Sequence, residues 1–272
     1  MKKILAERMM EFLRDDVGVW DVTSGLVDEK RVKARIIAKG EGILAGIEEV
    51  GAFLEFLGIK IKKNRKDGSP INPKDIVLEI EGNSRDILSS ERTILNVLMQ
   101  MSGIATQTRR LNAICSQYNV RIASTRKTTP GFSYFQKKAV KVGGGDTHRF
   151  GLYDSIIIKD NHLKLLGIEE ALRRAKRQSF TKKIEIEVEN EKDAIRAARL
   201  EADIIMLDNM SPEKMKSIVE KLSALGLREK VTVEASGIEI DLIEEYAKTG
   251  VNVISTSKLV NCPWLDMSME IV

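Results

Sequence analysis

The sequence predicts an α/β protein in two parts, an α+β amino-terminal region followed by an incomplete α/β barrel, with an open doubly wound sheet as the second choice. Two observations predict it. Between Arg31 and Gly82, apolar Val32, Ala34, Ile36 and Ala38 alternate with mostly charged neighbours, the period of half-buried antiparallel strands. Farther on, six apolar segments start 35, 28, 20, 28 and 20 residues apart, a βα-repeat spacing.

The elements follow in order. ILAERMMEFLRDD has helical character, and so does IEEVGAFLEFLG, set among the short extended pieces VKARIIAKGEGILAGI, LGIKIKK and DIVLEIEG. A long helical pattern runs from about Ser89 to Tyr118, and Gly103 within it is read as a break between two helices. The six later segments are VRIAS (120–124), SIIIK (155–159), KIEIEVE (183–189), DIIMLD (203–208), VTVEAS (231–236) and VNVISTS (251–257). Between the last strands, Ser211 as N-cap, Pro212 at the first helical position and Gly226 as a stop bracket a helix with Met215, Ile218, Val219 and Leu222 on one face. The roughly 170 residues left for this part are fewer than the roughly 200 of the shortest eight-unit barrels, hence the incomplete barrel.

Composition narrows the function. With 44 Lys+Arg against 40 Asp+Glu the charge is only +4 and is spread along the chain, which favours a local anion site over a nucleic-acid surface. No apolar run approaches the roughly 18 residues that a membrane helix needs, and Glu7 and Arg8 break any signal core, so the chain is read as cytoplasmic. Cys115 and Cys262 form neither a disulfide framework nor a metal cluster.

In barrels and open α/β sheets, working residues gather at the carboxyl ends of strands. Here those ends carry Thr125-Arg126-Lys127, Lys159-Asp160-Asn161-His162, Glu187, Asp208, Ser236-Gly237 and Ser255-Thr256-Ser257. Helix caps account for Ser, Asn and Asp there, but not for cations facing the positive ends of helix dipoles, which call for an anion. Gly143-Gly144-Gly145, near His148, Arg149 and Lys159, is read as bare amides able to approach phosphate. Glu187 and Asp208 form either salt bridges to Lys127 or Lys159, or a hard-cation site suited to Mg²⁺, or a pair that stabilises a developing cation.

Together SGIAT, TRKTTPG, GGGDTHRFGLYDSIIIKDNHL, EIEVEN, IMLDN and EASG, in this order and spacing, resemble the quinolinate phosphoribosyltransferase family. The resemblance extends from DDVGVWDVT to LDMSMEI. It implies an amino-terminal α/β sandwich over residues 1–103, with 263–272 returning to it, and a six-stranded barrel over 104–262. It also implies a homodimer with interface-shared sites, to which Arg92 reaches across. In the family pattern Thr125, Arg126, His148 and Arg149 hold quinolinate. Lys127, Lys159, Glu187, Asp208, Ser236, Gly237, Ile238, Thr256, Ser257 and Lys258 meet phosphoribosyl pyrophosphate, with Mg²⁺ at Glu187 and Asp208. Lys127, Lys159, Glu187 and Asp208 are the implied catalytic set, and no organic cofactor is implied. The chain departs from the pattern at Trp20, in place of a glycine and expected to concern packing, at Ile238, also for a glycine, and at Ser257-Lys258 near the 5′-phosphate loop. Alternatives are a nicotinate phosphoribosyltransferase, a paralogous pyrophosphorylase and, from other classes, a Schiff-base aldolase using Lys159 or a non-catalytic anion-binding barrel.

Overall fold

The computed structural model describes residues 2–272. In chain order its elements are α1 (Lys2–Val17), β1 (Arg31–Ala38), β2 (Gly42–Ile43), α2 (Ile47–Phe56), β3 (Lys60–Asn64), β4 (Pro70–Ile71), β5 (Ile76–Asn83), α3 (Ser84–Cys115), β6 (Arg121–Ala123) and α4 (Ser133–Val142). They continue with β7 (Ile156–Ile158), α5 (Asp160–Gln178), β8 (Ile184–Val188), α6 (Glu191–Arg199), β9 (Ile204–Asp208), α7 (Pro212–Ala224), β10 (Thr232–Ser236), α8 (Ile243–Ala247), β11 (Val253–Ser255) and β12 (Met267–Ile271). The chain divides into two compact units, residues 1–109 with 141–144 and 261–272, and residues 110–140 with 145–260.

In the first unit, four antiparallel strands lie in the order β12-β1-β5-β3. Ala34, Ile36 and Ala38 of β1 are buried, as the alternation predicts, while Arg35 pairs with Glu79 across the strands at 2.8 Å. The expected break at Gly103 does not occur: α3 is one helix of 32 residues. Gly103 serves close approach instead, because a Cβ there would lie 2.3 Å from the Pro263 carbonyl oxygen. Trp20 also departs from expectation. Its side chain is 69% exposed and fills no core, whereas neighbouring Asp21 accepts hydrogen bonds from Ser24, Ser89 and Thr23, which hold its carboxyl at about 2.

The second unit is a six-stranded parallel sheet, β6-β11-β10-β9-β8-β7. All six expected segments form strands, and the terminal strands β6 and β7 do not pair with each other, β6 being met on its outer side only by a single parallel bridge from Ala123 to Asp146, so the barrel is incomplete. Helices α5, α6 and α7 bury one apolar face each, including Ala171 and Leu172, Ala194 and Ala197, and Met215 and Leu222. Ser211 caps α7 through Lys214 N–H, Pro212 opens it, and Gly226 follows its end at φ +66°. No described helix is long and apolar enough to cross a membrane.

Candidate active site

The parallel sheet fixes the site because every strand points its carboxyl end the same way. Register sets Ser236 beside Asp208, Glu187 beside Met206, and Ser255 beside Ala123. These ends and the following turns line a cavity of about 460 Å³ bounded by Ser124, Thr125, Arg126, Lys127, His148, Arg149, Ile157, Lys159, Glu187, Met206, Asp208, Ser236 and Ser255. Nine of the expected site residues therefore meet in one place: Thr125, Arg126, Lys127, His148, Arg149, Lys159, Glu187, Asp208 and Ser236.

The other six do not line it. Arg92 is an exposed residue of α3 in the first unit. Thr256 is buried, and its hydroxyl accepts the Lys258 N–H at 3.2 Å in a short cap that also contains Ser257. Ile238 is half-buried beyond β10. Gly237, at φ +65°, leaves room for Asn209: a Cβ would meet Asn209 Oδ1 at 2.2 Å. It opens instead on a neighbouring hollow shared with Asn209, Ser211 and Glu239.

The triple glycine is not the expected phosphate cradle. Gly144 N–H donates to Lys141 and Gly145 N–H to Val140, both at 3.0 Å, so these amides close the carboxyl end of α4. Gly143 must be small, since a Cβ would lie 2.5 Å from the Ala105 carbonyl oxygen. His162 is likewise structural. Its Nδ1 accepts the Lys159 N–H at 3.0 Å, which caps α5 and sets the backbone from which Lys159 projects.

The loop 125–131 is pinned locally. Thr125 Oγ1 accepts the Lys127 N–H at 3.1 Å, and Gln136 of α4, only 1% exposed, accepts Thr129 N–H at 2.9 Å. Arg126 thus projects from a braced turn. On the adjoining segment, Arg149 donates from Nη1 to the Ser155 carbonyl at 2.9 Å, while its buried Nε has no hydrogen-bond partner among the described residues. Lys159 pairs with Glu187, and Asn209 donates to Asp208 at 2.6 Å. Of the readings of the acids, Glu187 realises the salt bridge, and Asp208 faces the cavity with no ion pair among the described residues.

Two acids below the cavity escaped sequence reasoning. Because strand residues alternate faces, Glu185 lies on the same face as Glu187 but one pleat, roughly 7 Å, deeper, and Glu234 lies equally below Ser236. Both are at most 2% exposed. His148 Nε2 sits 3.2 Å from Glu234 and 3.5 Å from Glu185, and its Nδ1 accepts the Arg149 N–H at 2.8 Å. Burial would depress the His148 pKa, but the Glu234 hydrogen bond and both carboxylate charges outweigh it and raise it. Burial, together with the charge of Glu234, pushes the Glu185 carboxyl well above the ordinary range. His148 itself holds left-handed backbone at φ +51°, a conformation uncommon for a non-glycine residue and braced here by Asp146, which accepts its N–H at 2.7 Å. The signal for both acids was a glutamate flanked by apolar residues in a parallel strand, Glu185 between Ile184 and Ile186 and Glu234 between Val233 and Ala235.

Two family models match, described as the N-terminal domain of quinolinate phosphoribosyl transferase over residues 21–102 and its C-terminal domain over residues 104–270. A probable carboxylating nicotinate-nucleotide pyrophosphorylase from Methanothermobacter thermautotrophicus is 49% identical over 269 residues, 96% of each chain. The carboxylating human enzyme of that name is 33% identical over 98% of this chain and 91% of its own. The solved nicotinate-nucleotide pyrophosphorylase from Francisella tularensis superposes with a TM-score of 0.92 at 35% identity, covering 100% of this chain and 97% of its own. With both halves matched in order and relatives this similar along their full length, the chain belongs to the quinolinate phosphoribosyl transferase family.

Proposed function

We propose that this enzyme transfers the phosphoribosyl group of phosphoribosyl pyrophosphate to the ring nitrogen of quinolinate and releases CO₂, giving nicotinate mononucleotide and pyrophosphate for NAD biosynthesis. The observation that carries the reading is one cavity in which Arg126, Lys127, Arg149 and Lys159 stand together with Glu187 and Asp208. Four cations suit two polyanionic substrates, and the arginine forks suit adjacent carboxylates, which they bind bidentately.

Arg126 and Arg149 hold the two carboxylates, the latter with a buried Nε still to be satisfied. Lys127 and Lys159 meet the pyrophosphate, and the approach of that anion competes with Glu187 for Lys159. Glu187 and Asp208 face the ribose, where they stabilise positive charge as the C1–pyrophosphate bond breaks. The pyridine nitrogen then bonds to C1, and its positive charge stabilises the electron pair left on the adjacent ring carbon when the C–CO₂ bond cleaves. A proton from solvent replaces the lost carboxylate. Positioning and charge supply the catalysis, with no covalent enzyme intermediate.

Among the described residues that line the cavity, Glu187 and Asp208 are the carboxylates, a hard oxygen donor set that would hold Mg²⁺. An ion held there would supply charge neutralisation for the leaving pyrophosphate. Ser236, Gly237, Ile238, Thr256, Ser257 and Lys258 are assigned to the 5′-phosphate, and the enzyme is assigned as a cytoplasmic homodimer in which Arg92 completes the partner's site.

The test is an assay with Mg²⁺, phosphoribosyl pyrophosphate and either quinolinate or nicotinate, with mass detection of nicotinate mononucleotide. Product and CO₂ from quinolinate alone are expected. Product from nicotinate alone would move the chain to non-decarboxylating chemistry and leave one arginine of the clamp without a task.

A further inference from the structure

Lys137 of α4 is a lysine with no exposed surface at all. Its ammonium donates to Ser124 Oγ at 3.3 Å and to the Thr147 carbonyl, and Ser124 Oγ donates to that same carbonyl at 2.8 Å. Both partners are uncharged oxygens, and the Phe150 ring lies 5.5 Å from the ammonium. Burial lowers the Lys137 pKa to about 8, with the charges of Arg126 and Arg149 adding to the effect against Asp146 and Asp154. A buried ammonium held by neutral oxygens is a poor device for stability, since an apolar side chain of similar length fills the same space without the desolvation cost.

The residues that it touches give the lysine a purpose. Ser124 immediately precedes Thr125-Arg126-Lys127, and Thr147 immediately precedes His148-Arg149. The three-membered knot, of which Ser124 itself lines the cavity, therefore ties together the two segments that present its arginines. Gln136, one residue earlier on the same helix, braces the first segment at Thr129. A rigid two-arm clamp needs its arms held at a fixed separation, because small displacements of binding groups cost large factors in affinity.

We propose that Lys137 is a positioning residue that fixes the spacing of Arg126 and Arg149, and so the preference of the site for a ligand with two adjacent carboxylates over one with a single carboxylate. The proposal rests on the functional reading for the identity of that ligand. Its test is calorimetric binding of quinolinate and of nicotinate to wild type, Lys137→Met and Lys137→Arg, with thermal melting of each. Lys137→Met is expected to melt at or above the wild-type temperature and to lose at least tenfold in quinolinate affinity but under threefold for nicotinate. Lys137→Arg, which keeps the charge and the donors, is expected to recover most of the ratio. Unchanged quinolinate binding in Lys137→Met overturns the positioning role alone, and so does an equal loss for both ligands with a lowered melting temperature. Wild type that does not bind quinolinate overturns the functional reading and this proposal together. If Lys137→Met does not fold, Lys137→Gln carries the same comparison, with a collapsed ratio supporting the role and an intact ratio overturning it.

Discussion

Strands β5 and β8 contain nearly the same words, Leu78-Glu79-Ile80-Glu81 and Ile184-Glu185-Ile186-Glu187, yet their glutamates meet opposite fates. In β5, between two antiparallel neighbours, Glu79 and Glu81 stand on the polar face and pair across the strands with Arg35, Lys62 and Arg31. In β8, inside the parallel sheet, Glu185 is 1% exposed beneath His148, and Glu187 meets Lys159 at the cavity mouth. The difference lies in the sheet, not in the residue. An antiparallel sheet can keep one face in water, whereas a barrel strand is covered by helices outside and by its own interior inside. A charge on the polar face of β5 is therefore ordinary, while a charge on the inner face of β8 needs a partner or a purpose.

The largest effects should come from the carboxyl ends of the parallel strands. Arg126→Ala is expected to lower kcat/KM for quinolinate by about 10³-fold, roughly 4 kcal/mol of transition-state stabilisation, with the melting temperature unchanged. Steady-state kinetics with melting curves checks it. A loss below tenfold would remove Arg126 from the clamp.

Lys137 sharpens the contrast through pH. Its pKa falls from 10.5 in the unfolded chain to about 8 in the folded one, so below pH 8 the folded state carries a buried charge at a cost on the order of 3 kcal/mol. Between pH 8 and 10.5 the unfolded chain binds the extra proton, and raising pH relieves that cost. The stability advantage of Lys137→Met over wild type is therefore expected to be full at pH 7 and to shrink as pH rises through 8 toward 10, which denaturant unfolding at a series of pH values measures. A constant difference would mean that Lys137 carries no such burden.

The sequence made the site more legible than its support, and for a physical reason. Arg126, Lys127, Lys159, Glu187 and Asp208 stand where strands end, and parallel topology gathers strand ends whatever the details of packing. The six strands and the cap of α7 were equally readable, because period and capping are local properties. Gly103 and the triple glycine were misread because a bare glycine has several causes. Close approach to Pro263, contact with Ala105 and closure of α4 depend on chain segments distant in sequence or on hydrogen bonds that composition does not reveal. Glu185, Glu234 and Lys137 went unseen because a charged residue in an apolar element reads as solvent-facing until the opposite face is known to be covered.

The same substitution in the two sheets separates them at smaller scale. Glu234→Gln keeps an oxygen near His148 Nε2 but removes the charge that raises the histidine's pKa. The His148 midpoint, resolvable by NMR in a chain with two histidines, is expected to fall, and kcat/KM for quinolinate to drop about tenfold. Glu79→Gln removes a charge of the same kind from the partly exposed Arg35 pair in the antiparallel sheet. Exposed pairs of this type contribute about 0–1 kcal/mol, since solvent and salt screen them and two long side chains must be ordered to form them. Glu79→Gln should therefore shift denaturant unfolding by no more than that amount, lose even this difference in 1 M salt, and leave kcat/KM and the His148 midpoint at wild-type values. A loss of activity at Glu79 equal to that at Glu234 would erase the distinction between the two sheets, because a glutamate on the polar face of the antiparallel sheet would then matter as much as one buried in the parallel sheet.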